Sequence, residues 1–145
     1  MLSGPGLKNL YDYCAERGDE EDAEISAKIA AAGKAAPAEI SIAAMNRTSP
    51  RAVAALDLFV KVYAQSAQTL ALTALATGGV FVGGGIAPRI LPALVSGSFV
   101  ATFKSHPILG ELLAKIPVKV TFILIPTQTI QVLRQSISLY ERPCP

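Results

Sequence analysis

Apolar positions recur at helical spacing through most of the chain. The opening SGPGLKNLYDYCAE begins with turn residues and then sets Leu7, Leu10, Tyr11 and Cys14 three and four apart, which predicts a short amphipathic helix. A second helix is predicted over about Ala23 to Ala32, stopping at Gly33, and a third after Pro37 in PAEISIAAMN. The strongest pattern is TSPRAVAALDLFVKVYAQSAQTLALTALATGG. Ser49 suits the cap, Pro50 the first turn and Gly78 a left-handed exit. Within that helix Val53, Leu56, Val60, Tyr63, Ala67, Leu70 and Ala74 form a stripe read as a packing surface, with Asp57, Lys61, Gln65 and Gln68 on the opposite face.

Beyond it the period changes. Gly79 to Val82 reads as a strand entering Gly83-Gly84-Gly85, and helical spacing resumes from Ile86 to Val95 behind Pro88. Gly97 to Phe103 and Pro107 to Lys115 predict two further short helices, and IPVKVTFILI a second strand. A mixed α/β unit follows, mostly helical with a few strands, and without an internal repeat.

Composition bounds this picture. The chain has 145 residues, enough for one core, and only 17% of them are charged, which implies burial in a larger body or a membrane. From Lys61 to Arg89 no charged residue intervenes, a window long enough to cross a bilayer. Gln65, Ser66, Gln68, the glycine break and the many alanines argue against insertion, so no membrane partner is expected. The net charge of +2, with its cations scattered, leaves no footprint for nucleic acid. Cys14 and Cys144 lack metal-ligand spacing and read as reduced thiols of a cytoplasmic protein, and the start of the chain does not have the pattern of a signal peptide.

Catalytic chemistry is sparse. Between Asp57 and Glu111 there is no carboxylate, and the acidic run RGDEEDAE reads as a solvated loop rather than a metal site. The single histidine, His106, precedes Pro107 and reads as a turn residue, while Ser3, Ser66, Ser96 and Ser98 lack a nucleophile-elbow context. The one segment that invites a ligand is GGVFVGGGIAP, Gly78 to Pro88, with five glycines around an apolar triplet. Bare backbone followed by a helix start near Pro88 suits an anion or a flat ring. Close helix packing across a tight turn is the alternative account of the same glycines.

Three motifs in order, SGPGLKNLY, the stretch ALDLFVKVYAQSAQTLALTALATGGVFVGGGIAPRILPAL, and LLAKIPVKV, resemble the C-terminal part of bacterial-type glucokinases over about residues 1–120. That family belongs to the actin-like ATPase superfamily, of ribonuclease H-like fold, and phosphorylates glucose with ATP and Mg²⁺. The resemblance implies that Gly79, Gly83, Gly84, Gly85 and Pro88 seat the adenosine of ATP. It also implies that the phosphate motif, the catalytic aspartate, the sugar-binding groups and the Mg²⁺ ligands lie upstream of Met1-Leu2. No residue here is therefore assigned a catalytic or metal-binding role, glucose is a partner only together with the missing lobe, and the chain alone is expected not to phosphorylate it. A non-catalytic ATP-binding or regulatory module is the alternative function, and a small membrane protein a more distant one. Residues 121–145 depart from the family pattern. Codons for Leu124 to Gln128, read one base out of phase, can spell the family's His-Pro-Asp-Ala, so a shifted frame is one origin for this tail. Loss of the family's last helix would uncover apolar surface and favour a homo-oligomer.

Overall fold

The computed structural model describes residues 2–122 and 135–138. The predicted strand residues Ile123 to Ile125, the codon argument at Leu124 to Gln128 and Cys144 lie outside them. The described chain divides into two compact units, residues 1–63 and 64–145, with one long helix contributing to each.

The first unit is helical. Helix α1, Gly4–Glu16, starts where the turn residues predict, because the Ser3 hydroxyl accepts from the Gly6 N–H at 3.2 Å and Pro5 occupies the first turn. Its buried face is Leu7, Tyr11 and Cys14, three of the four residues the spacing selected. Helix α2, Ala23–Ala31, is capped by Asp22, whose carboxylate accepts from the Glu24 N–H at 2.8 Å. A 3₁₀ turn, Gly33–Ala35, joins it to α3, Ala36–Met45, which packs against α1 and α2 through Ala36, Ile40, Ala43 and Ala44.

Helix α4, Pro50–Thr73, begins at the expected cap: the Ser49 hydroxyl accepts from the Ala52 N–H at 2.9 Å and its carbonyl from Val53 at 3.0 Å. The expected stripe is corrected. Val53 and Leu70 are 37% and 67% exposed, and the buried series runs Ala52, Ala55, Leu56, Phe59, Val60, Ala64, Ala67, Ala71. Spacing alone selected the larger side chains, whereas the packed face is rich in alanine, which allows neighbouring elements to approach closely. The helix exit is also corrected. Leu75, not Gly78, takes the left-handed conformation, with φ 46°, and the Ala76 N–H closes the end on the Ala71 carbonyl at 2.9 Å.

In the second unit, β1, Val80–Val82, pairs in parallel with β2, Val118–Phe122, in the register Val80 with Val118, Phe81 with Lys119 and Val82 with Val120. Strand β3, Gln135–Ser138, lies antiparallel on the other side of β2, giving the order β1-β2-β3. Three short helices cross over between β1 and β2: α5, Leu91–Val95; α6, Ser98–Lys104; and α7, Gly110–Ala114. Their fully buried Leu94, Phe99, Phe103 and Leu113 share the core of this unit with Val82, Val118 and Val120. Two predicted starts move. Helix α5 begins at Leu91 rather than near Ile86 or Pro88, and α7 at Gly110 rather than Pro107, because both prolines sit in turns ahead of the helices. Gln68, placed by pattern on a polar outer face, donates to the Phe103 carbonyl at 2.8 Å and satisfies an orphan acceptor near the end of α6.

Candidate functional site

Parallel strands place their carboxyl ends on one side of a sheet, and that side is where open α/β sheets receive ligands. The glycine segment leaves β1 at this end. Gly79, before the strand, has a reason internal to the fold: at φ 119° an added Cβ would stand 3.0 Å from the Pro117 carbonyl oxygen. That same carbonyl accepts from the Val80 N–H at 2.8 Å and starts the β1–β2 ladder. Its missing side chain permits the strands to meet.

Gly83, Gly84 and Gly85 differ. A Cβ built at any of the three meets nothing within 4 Å, so internal packing does not require their bareness. The close-packing alternative therefore accounts for Gly79 and for none of these three. Gly84 adopts φ 98°, which turns the chain where an L side chain would be strained. The segment is pinned on both sides, by Val82 at 3% exposure and by fully buried Ala87 and Ile90 at 1%, while the glycines between are exposed. Pro88 lies in the turn that follows, where Arg89 and Ile90 both donate to the Ile86 carbonyl, at 2.9 and 3.2 Å. The helix beyond has five residues and starts three residues after Pro88, so the anion-binding helix terminus expected there is not at Pro88. The arrangement is an arch of exposed main chain, held at its ends.

The other polar constellation is in the first unit, where sequence reasoning expected a solvated acidic loop. Glu21 is turned inward: Tyr11 and Ser49 both donate to its Oε2, Ser49 at 2.8 Å. Its Oε1 is buried and unpartnered among the described residues. Arg51 donates twice to the Asp19 carbonyl, at 3.0 and 2.8 Å, and lies 5.6 Å from the Tyr11 ring centroid. Burial, reinforced by the bond to Glu21, pushes the Tyr11 phenol up to about 12. Burial also raises the Cys14 thiol, with Asp19 adding to the effect. The hydrogen-bonded pairs among these residues are 10 to 32 positions apart, and no local spacing announces them. The cluster fixes the loop between α1 and α2 onto the start of α4.

His106 acts as the turn residue the sequence suggested, its Nδ1 accepting from the Leu109 N–H at 3.0 Å and the Ile108 N–H at 3.3 Å. Among the described residues no three His, Cys, Asp or Glu side chains are grouped so as to hold a metal ion. No helix among the described residues is long and apolar enough to cross a membrane.

A parallel-stranded pair crossed over by helices, with an open glycine arch at the strand ends, defines a unit of the α/β class. Comparison with known proteins narrows that class. The family model described as Glucokinase matches residues 1–128, and the chain belongs to that family. A glucokinase of Mesorhizobium japonicum is 38% identical over 120 residues, covering 83% of this chain and 32% of that protein. A glucokinase of Synechocystis is 32% identical over 130 residues, covering 37% of its length. A solved glucokinase from an Antarctic psychrotroph superposes with a TM-score of 0.63 at 30% identity, over 81% of this chain and 34% of the other. The fold is thus part of the α/β glucokinase fold, and the chain spans about a third of the length of these relatives.

Proposed function

We propose that this chain is the nucleotide-binding part of a glucokinase-like hexose kinase. ATP rests its adenosine on Gly83, Gly84 and Gly85, with Gly79 and Pro88 holding the segment in shape. The observation that carries this reading is the open arch: three consecutive glycines that internal packing does not require, at the carboxyl ends of parallel strands, in a chain of the glucokinase family. A flat purine can approach main chain more closely than it could approach any side chain, and exposed amides can donate to it. The phosphoryl acceptor in this reading is glucose, and the reaction is ATP-dependent formation of glucose 6-phosphate in the cytoplasm. Such transfer depends on positioning and on neutralising the phosphate charge. The described residues contribute the seat for the nucleoside, while the metal and the groups that touch the sugar come from the part of a glucokinase not represented here. Isolated, the chain binds nucleotide and does not turn over glucose.

Titration of the purified chain with ATP, ADP and adenosine, followed by calorimetry, tests this reading. Saturable binding of all three is expected, and Gly84→Val should weaken it at least tenfold. Unchanged affinity in a folded Gly84→Val variant would remove the glycine arch from the site. Glucose phosphorylation by the chain alone, in an assay coupled to glucose 6-phosphate, would show that the catalytic groups are here after all.

A further inference from the structure

Helices α2 and α3 of the first unit turn matching stripes toward each other. On α2 the stripe is Ile25, Lys28 and Ile29, and on α3 it is Glu39, Ile42 and Ala43, steps of three and four that keep to one face of each helix. Between the stripes lies a cavity of about 210 Å³. Ala43 contributes only a methyl group to the α3 wall, so the gap is left where a larger side chain would fill it. Ile29 is 1% exposed and forms the floor, whereas Ile42 is 52% exposed and forms the lip. The Lys28 ammonium and the Glu39 carboxylate, 3.0 Å apart, bridge the two helices at this cavity, with side chains 70% and 29% exposed. About two turns further along, α3 ends, and Arg47 at φ 55° reverses the chain. The Thr48 N–H is thereby returned to the Ala43 carbonyl at 3.0 Å, and Thr48 closes the far end of the cavity.

Size and charge together define the occupant. The volume is below the roughly 300 Å³ at which sites for drug-sized ligands begin, and at about 30 Å³ per molecule it equals the room of about seven waters. That excludes a nucleotide and fits a small metabolite. The walls are mainly aliphatic, yet they carry two opposite charges at one place. A lone carboxylate would gain Lys28 only by taking it from Glu39, and a lone ammonium would do the reverse, so either leaves a charge without its partner. A zwitterion exchanges one ion pair for two charge-assisted contacts and keeps the site neutral. The existing pair is exposed and adds little to stability, so it opens readily. A branched aliphatic side chain on that zwitterion buries against the isoleucines. We propose that this cavity binds a free α-amino acid with a branched aliphatic side chain, its carboxylate on Lys28, its ammonium on Glu39 and its side chain among Ile25, Ile29 and Ile42. Bound there, the amino acid bridges α2 and α3. The inference goes beyond the nucleotide reading and does not rest on it.

The test uses the full 145-residue chain, isotopically labelled at its isoleucine methyl groups and titrated with L-leucine. Three further probes each lack one part of leucine: isocaproate has no ammonium, isoamylamine no carboxylate, and glycine no side chain. With leucine the Ile25, Ile29 and Ile42 signals should shift saturably while Ile86 and Ile90 of the second unit stay in place, and the thermal midpoint should rise with leucine concentration by mass action. Each of the three partial probes should bind about tenfold or more weakly than leucine, because each forgoes a charge-assisted contact or the apolar burial. Lys28→Met and Glu39→Gln should each weaken leucine by a similar factor. The probe series on the unaltered chain decides the question even where a variant does not fold. Absence of a saturable shift with leucine, equal binding of isocaproate or isoamylamine, shifts at Ile86 and Ile90 instead, or undiminished leucine affinity in both folded variants would each overturn the proposal. Loss of ATP binding with leucine binding intact would count against the nucleotide reading and leave this one standing.

Discussion

Two loops of this protein teach opposite lessons about where chemistry sits. The segment from Arg17 to Asp22 is crowded with acids, yet Glu21 is drawn inward by Tyr11 and Ser49, and Arg51 holds the Asp19 carbonyl. Glu21 is thereby committed within the fold, while Glu20 and Asp22 stay exposed. The segment from Gly83 to Gly85 carries no functional side chain at all, yet space stands open over each of its three residues. A ligand needs unoccupied space and unsatisfied groups, and the side-chain-poor loop provides the space. Carboxylates that already accept from buried hydroxyls are supports, because freeing them would strand those donors.

The comparison is broken most severely at Gly79, the glycine that belongs to the fold and not to the arch. Gly79→Ala should cost about 3 kcal/mol, from left-handed strain and the collision with Pro117, read as a lowered denaturation midpoint. A negligible loss would mean that the β1–β2 junction is looser than the structure has it. Next is Glu21→Ala, which leaves the Tyr11 and Ser49 hydroxyls without their acceptor and should cost about 2 kcal/mol by chemical denaturation. If it costs nothing, the acidic loop is solvated as its composition suggests.

The same cluster has a signature in pH. The folded Tyr11 phenol lies near 12 against an ordinary 10.0, so between those values the unfolded chain loses the proton first and binds fewer protons than the folded one. Stability is then fully present below pH 10 and falls as pH rises toward 12, by on the order of 2 kcal/mol. Unfolding midpoints of the wild type and Tyr11→Phe, measured in parallel, isolate this slope, since other groups titrate in both. Parallel curves would show that Tyr11 is not held as described.

A smaller effect tests the end of α4. Leu75 is 62% exposed and left-handed, so Leu75→Gly relieves strain at little cost in burial and should stabilise by about 0.5–1 kcal/mol in a thermal melt. The smallest change in stability sharpens the contrast most. Gly85→Ala meets no atom within 4 Å and should leave the melt unchanged or raised by up to about 1 kcal/mol, while weakening ATP binding. Stability and affinity falling together would place Gly85 with Gly79 as a packing residue.

Much of the architecture was legible in the sequence because it is written locally. The cap at Ser49, the turn at His106 and the strand running to Val82 each depend on a few neighbouring residues, and each stands where reading placed it. Helix boundaries near Pro88 and Pro107 were misplaced, because proline marks the start of a turn as readily as the start of a helix. The α4 stripe was shifted toward Val53 and Leu70 because hydrophobic size was taken as burial, when neighbouring elements had selected the alanines. The glycine cluster was visible as a candidate seat, but its five members could not be sorted.

By itself, then, the sequence determined the order and type of the elements up to β2, the mixed α/β class and the family, since local propensity and ordered motifs survive without knowledge of contacts, while β3 was not read from it. Only the tertiary structure decided which glycines are bare for packing and which face open space, and which charges are already paired inside. Those are properties of residues distant along the chain and adjacent in space, and free volume, hydrogen-bond satisfaction and strand neighbours exist only once the chain has closed on itself.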